Sequence, residues 1–223
     1  RILKILAFLV LISAGFLFFW NPKPADKISW GVVFSQKHSE ALGLDWKENY
    51  LALLDDLEVK KIKTIAYWDL IEPKAGEYDF QDLDWQIQKA KENEAKILLV
   101  IGMKTPRWPE CHLPDWAQKQ NKQEQQDRIL KMISEVVLRY KNEKTIWAWQ
   151  MENEPFFPFG ECPWQDEEFF KKEVALVKLL DPQNRPVVIS DTGEFSLWFK
   201  PAKLGDIVGT TMYRVVWSRK VHF

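Results

Sequence analysis

The chain has 223 residues, 28% of them charged, and a formal net charge of −1. That length suits one sizeable domain with its own core, and the near-neutral balance excludes a basic field for nucleic acid and a solvating acidic tail. Three scattered histidines (His38, His112 and His222) and two unclustered cysteines lack the spacing of a zinc site, so neither metal nor cofactor is expected. Tryptophan is abundant, at 12 residues, and serves cores first and sugar-stacking platforms second.

Arg1 and Lys4 precede a largely apolar run from Ile5 to Trp20, closed by Asn21-Pro22-Lys23-Pro24. The run is at the upper limit of a signal-peptide core and slightly short for a spanning helix. Ser13-Ala14-Gly15 offers a cleavage pattern, but Phe16-Leu17-Phe18-Phe19-Trp20 continues the run beyond it. Residues 1–20 read as a signal or, by preference, an uncleaved membrane anchor, with a linker over 21–29. A buried core helix is the plain alternative. The body, 30–223, is expected to be exported, anchored to the membrane by this helix or secreted if cleaved.

Trp30 to Ser35 reads as a short buried strand, followed by an amphipathic stretch from Trp46 to Lys61 with Tyr50, Leu51, Leu53, Leu54 and Leu57 at helical spacing. Ile62 to Trp68 is strand-like, and the loop Ile71 to Phe80 leads into a helix from about Asp82 to Asn93. Ala95 to Gly102 is apolar and β-branched, as suits a strand covered on both faces. After the loop Pro106-Arg107-Trp108-Pro109, Gln125 to Lys141 forms a helix with Ile129, Met132, Ile133, Val136 and Val137 on its inner face. Trp147 opens a fourth strand, which Pro155 stops at about Glu154. A helix from Asp166 to Leu180, a strand from Pro186 to Ser190, a short helix from Phe195 to Lys203 and a strand from Asp206 to Tyr213 complete the pattern.

This alternation implies an α/β fold with parallel strands and right-handed crossovers. A doubly wound sheet and a (β/α)8 TIM barrel both fit. No Gly-rich phosphate loop follows the first strand, which favours the barrel, present as about six βα units after the N-terminal hydrophobic helix. Catalytic side chains of such barrels collect at the C-terminal strand tips, where Asn153 and Glu154 fall. A polar strand-to-loop turn is the alternative there. Loops after neighbouring strands meet, so Cys111 and Cys162 are disulfide candidates, with two separate buried thiols as the other possibility. Trp68, Trp108, Trp164 and Trp217 lie at or beyond strand tips and either touch a sugar or pack under the loops. Arg107 and Asp115 either bind hydroxyls or form loop salt bridges.

Two motifs together resemble glycoside hydrolase clan A, the retaining barrel glycosidases. One is Trp149-x-x-x-Asn153-Glu154-Pro155. The other, Trp68-x-x-x-Glu72-Pro73-x-x-Gly76-x-Tyr78-Asp79-Phe80, is similar to a loop of family 5 cellulase-type and family 42 β-galactosidase-type enzymes. The resemblance runs from about Trp30 to Trp217. It implies that Glu154 is the general acid/base, that Asn153 binds a sugar 2-hydroxyl, and that Tyr213 supports the nucleophile. The clan's early-strand arginine is absent, and Lys63 lies near its place. The clan's nucleophile glutamate follows the seventh strand, and a whole barrel needs about 250 residues. A sequence truncated after the sixth strand, inactive alone, is therefore the expectation.

Hydrolysis of a β-glycosidic bond needs one carboxylic acid to protonate the departing oxygen and a carboxylate beside the oxocarbenium-like carbon. Glu154 suits the first task. Glu152, two residues earlier and expected on the same side, is the fallback. Asp191 and Glu194 after the fifth strand either line the pocket, with Glu194 as a substrate-binding candidate, or form a turn and helix start. A retaining hydrolase of β-linked oligo- or polysaccharides is thus the leading reading. A non-catalytic carbohydrate-binding barrel is the alternative, and an unrelated doubly wound protein the third.

Overall fold

The computed structural model describes residues 2–19, 26–193 and 196–212, in two compact units split between Trp30 and Gly31. The first unit carries helix α1 (Ile2–Phe19), whose Ile5, Phe8, Val10 and Leu11 side chains are exposed. Among the described residues no helix is long and apolar enough to cross a membrane.

The second unit alternates strand and helix. In chain order it runs β1 (Val32–Val33), α2 (Gln36–Ala41), α3 (Trp46–Asp55), β2 (Lys61–Ile65), α4 (Trp68–Ile71), α5 (Gln81–Glu92) and β3 (Lys96–Ile101). Then follow α6 (Asp115–Gln118), α7 (Lys122–Tyr140), β4 (Ile146–Met151), α8 (Glu167–Leu180), β5 (Val187–Asp191), α9 (Phe199–Leu204) and β6 (Ile207–Thr210). The strands form one sheet in the order β1-β2-β3-β4-β5-β6, and each pairs in parallel with the next. A doubly wound sheet reverses its strand order at a switch point. The unbroken order here excludes that alternative and makes the unit an incomplete (β/α)8 barrel.

The two faces of the sheet differ. Toward the helices, Ile62, Ile97, Leu99, Ile101, Trp149, Met151 and Ile189 join Tyr50, Ile87, Ile133, Val137 and Val177 in the main core. On the other face a small cluster of Ile65, Tyr67 and Val100 fills the inside of the curl. Polar residues on that inner face are therefore free to serve a site.

Several boundaries depart from the pattern-based expectation. Helix α7 begins at Lys122, three residues early, because Asn121 and Glu124 form a reciprocal capping box. Helix α3 stops at Asp55, well short of Lys61; Glu58 turns left-handed (φ 49°) and Leu57 is exposed. Strand β1 keeps only Val32 and Val33, and Trp30 is exposed. Strand β4 ends at Met151, before the acidic residues.

The lower end of the barrel is closed by a buried ion pair. Asp181, just after α8, accepts from Arg185 Nη2 at 2.8 Å, from Arg185 Nε at 3.0 Å and from the Trp149 indole at 3.1 Å. The Arg185 guanidinium stacks 4.4 Å from the Trp149 ring centre and donates to the carbonyls of Tyr140, Glu143 and Ile146. One side chain thereby ties the end of α7 and the starts of β4 and β5. Asp181→Ala, which strands the guanidinium, is expected to destabilise the fold by about 3–5 kcal/mol, against about 1 kcal/mol for Asn121→Ala at the α7 cap. Urea unfolding at constant m-value checks both.

Candidate active site

The site is assembled from the tips of consecutive strands. After β3, Gly102 takes φ 121°, where a Cβ would lie 2.7 Å from Glu152 Cγ, so only glycine lets this turn pass the end of β4. Beyond β4, Glu152 and Glu154 both adopt left-handed backbone, φ 51° and 46°. Four contacts hold them there. Glu152 N–H donates to Ile101 O (2.9 Å), Asn153 N–H to Lys104 O (2.7 Å) and Glu154 N–H to Ser190 Oγ (3.1 Å), while Lys104 Nζ donates to Glu154 O (2.9 Å).

This geometry corrects the expectation that Glu152 and Glu154 share a side. With the strand finished at Met151 and two left-handed residues following, period-two alternation no longer applies. Glu154, 8% exposed, interacts electrostatically with Lys63 of β2 and with Glu110 and Lys104 after β3. Glu152 turns instead toward α8 and lines a cavity of about 210 Å³ that Glu154 does not line.

Around Glu154 the described residues build a polar wall. Asn153 Nδ2 donates to Glu110 Oε2 at 3.1 Å. Burial raises the Glu110 carboxyl, and the Asn153 hydrogen bond partly opposes that rise. Burial also depresses the Lys63 ammonium to about 8, with Glu154 and Glu110 working against the drop.

Farther along, Lys37 pairs with Asp69 and lies 3.0 Å from His112 Nδ1. With Nε2–H assigned as donor to Arg107 O at 3.1 Å, Nδ1 is left to accept from Lys37. Burial and the Lys37 charge hold His112 neutral, well below its usual range. Tyr67 completes the wall. Its hydroxyl donates to Pro106 O at 3.0 Å and lies 2.7 Å from Ser35 Oγ. Lys37 in α2, Asp69 in α4, and Glu110 and His112 in the loop after β3 were not singled out as site residues by any motif in the sequence. His112 stood only as one of three scattered histidines, because strand-tip neighbours meet only across the sheet.

The other sequence-derived positions divide. Trp68 is fully buried, its indole donating to Glu72 Oε2 at 2.8 Å and packed edge-on against Trp116, so it presents no face to a sugar and is a core residue. Trp108 is 64% exposed and meets Phe159 edge-on at 6.0 Å. Trp164 is half-buried, bonded to Gln125 Oε1. Arg107 and Asp115 are exposed, and Asp115 begins α6. Asp191 is buried, accepting from Ser196 Oγ and Thr192 N–H. Glu194, Tyr213 and Trp217 lie outside the described residues. Cys111 and Cys162 form a disulfide, Cα atoms 5.1 Å apart, that joins the loops after β3 and β4. Gly160 (φ 97°) lies beside this bridge, where a Cβ would meet Glu110 Cβ at 2.6 Å.

The family model for glycosyl hydrolase family 10 matches residues 45–173, the segment from α3 through β4 into α8. The chain belongs to glycosyl hydrolase family 10. The clan resemblance therefore stands, and family 10 is the family whose model matches.

Solved structures share the fold at low identity. A β-galactosidase from Rahnella sp. R3 aligns over 88% of this chain and 41% of its own, at 13% identity and TM-score 0.63. A glycosylated family 10 endo-β-1,4-xylanase from Gloeophyllum trabeum aligns over 83% and 62%, at 16% identity and TM-score 0.60. The GH5_18 protein of Streptomyces cattleya in complex with GlcNAc aligns over 85% and 52%, at 12% identity and TM-score 0.63. The chain thus spans 41% to 62% of the length of these three. Among curated proteins, none matches the sequence.

The cluster around Glu154 has a measurable signature in Lys63. Because folding lowers its pKa, the unfolded chain holds more protons between about pH 8 and pH 10.4, and the Lys63 contribution to stability rises with pH across that window. Amine-labelling rates followed against pH are expected to give Lys63 a midpoint near 8. Glu154→Gln is expected to lower it further, since it removes a negative charge that favours the ammonium. A midpoint above about 10 would place Lys63 in water instead.

Proposed function

We propose that this family 10 chain supplies the acid/base and one wall of the cleft of a retaining glycoside hydrolase acting on β-linked saccharides. The carrying observation is Glu154. It follows the fourth strand, is largely buried, is held by left-handed backbone, and sits in the field of Lys63 and Glu110. A carboxyl group at this strand tip, largely buried and beside Glu110 and Lys63, is placed to meet the leaving oxygen of a saccharide bound in the cleft. Asn153, fixed by Glu110 and the Lys104 carbonyl, is then the group that meets the sugar hydroxyl beside the reacting carbon. The second carboxylate of the retaining pair, about 5–5.5 Å from the acid, comes from outside the described residues.

The β-linked substrate class is supported by the names of the structural neighbours, β-galactosidases and endo-β-1,4-xylanases. Exposed Trp108 is the aromatic face best placed to stack on a sugar ring. We further propose that the protein works outside the reducing cytosol, exported through its N-terminal segment and tethered or released there. The Cys111–Cys162 disulfide and the exposed apolar side chains of α1 support this.

The acid role has a specific kinetic consequence. In the full-length protein, Glu154→Gln is expected to slow hydrolysis of β-linked oligosaccharides about a hundred- to ten-thousand-fold. The loss should be far smaller for dinitrophenyl glycosides, whose leaving group needs no proton. Equal losses on both substrates, or near-normal turnover, remove Glu154 from this role. Oligosaccharide binding without any turnover in the unmodified full-length protein points to the carbohydrate-binding alternative.

A further inference from the structure

The cavity beside the tip of β4 is separate from the site around Glu154. Its floor carries the carboxyl groups of Glu152 and Glu173, and its walls include Phe157, Phe159, Trp164 and Phe169. Glu173 occupies a position that an amphipathic helix reserves for an apolar side chain, on the same buried stripe of α8 as Phe169, Phe170, Val174 and Val177. It is fully buried, and neither of its oxygens has a hydrogen-bond partner among the described residues.

The charged groups facing it do not neutralise it. Glu152 accepts from the Lys104 backbone N–H at 3.3 Å, while the Lys104 ammonium turns away to the carbonyls of Glu154 and Phe157. Asp166, at the rim, is paired with Lys122 of α7. More acid than base therefore faces an aromatic-walled space.

A buried carboxyl without a partner either stays protonated or acquires a cation. We propose that this cavity binds a small organic ammonium ion, its apolar body between the aromatic rings and its NH3⁺ group on Glu173 and Glu152. Aromatic faces attract a cation, and an ammonium brings three donors to a floor made of acceptors. A metal ion fits less well, because no group of three or more His, Cys, Asp or Glu gathers among the described residues.

Burial raises both carboxyls, Glu173 most strongly, aided by the neighbouring Glu152. Binding is then an exchange in which the ammonium enters, Glu173 gives its proton to solvent, and the net charge of the cavity is unchanged.

Calorimetric titration of the intact chain with n-butylammonium chloride tests this, with n-butanol and ammonium chloride as controls and buffers of differing ionisation enthalpy. The expected result is binding with release of about one proton and an affinity that rises about tenfold per pH unit while Glu173 is protonated in the free protein. n-Butanol should bind at least about tenfold more weakly. Glu173→Gln keeps the shape of the neutral acid, so it is expected to fold with an unchanged far-UV circular dichroism spectrum, to abolish the proton release and to weaken binding about tenfold or more. Phe159→Ala, at the exposed mouth, is expected to weaken binding without altering the proton release. Absence of n-butylammonium binding, equal affinity for n-butanol, or an unchanged titration in Glu173→Gln would each overturn the proposal.

Discussion

The left-handed backbone at the end of β4 is the constraint on which the site depends. Glu152 and Glu154 both hold φ near +50°, a conformation that costs a non-glycine residue about 1–3 kcal/mol. The surroundings offset that cost with contacts from both neighbouring strands. Lys104 comes from the β3 side and Ser190 from the β5 side, and the Gln150 amide bonds both Glu152 O and Ser190 Oγ. Released from strand geometry, two carboxyls in the sequence Glu-Asn-Glu diverge to opposite sides of the sheet.

That divergence has meaning only because the sheet is ordered β1 to β6 without interruption. Each strand's exit loop then lies beside the next one's. Glu110 reaches Asn153, Lys104 reaches Glu154, and Cys111 bonds to Cys162, all between the third and fourth βα units. The Lys37–Asp69–His112 contact spans the first three units in the same way. A parallel sheet concentrates at one rim side chains that are 32 to 75 residues apart in sequence, from the Lys37 and Asp69 pair to the Lys37 and His112 pair.

Burial of polar groups follows different rules on the two faces. Between sheet and helices, Asp181 is compensated by Arg185 and the Trp149 indole, and Glu72 by the Trp68 indole and the Gly76 N–H. Those acids are structural, holding the sheet to its helices. Glu173 lies in the same layer without such a partner, which sets it apart from them. On the inner face, the burial of Lys63 is opposed by the charges of Glu154 and Glu110, and that of Glu110 by the Asn153 amide and the Lys104 charge. Groups balanced in that way respond to a ligand, because any incoming polar group changes the balance.

Much of this was legible in the chain. Apolar runs and helical spacing located each described strand and most helices, and the Asn153-Glu154-Pro155 motif fell at the rim of the fourth strand. The Asn121-x-x-Glu124 capping box, which apolar spacing does not register, corrects the start of α7. The fate of Trp68 was not legible, because a tryptophan at a strand tip packs inward or outward according to what lies beneath it. Here Glu72 and Trp116 wait on the core side. The strand period likewise placed Glu152 and Glu154 together, and it failed where the backbone left the strand.

The sequence by itself determined the alternation of strands and helices, the parallel class and the acid at the fourth tip. These follow from local pattern and from proline's missing donor. Only the tertiary structure decided which face each carboxyl meets, which lysine lies beside Glu154, and which histidine joins the wall. Those depend on register between strands and on side chains brought together across the sheet, distances that no local pattern encodes.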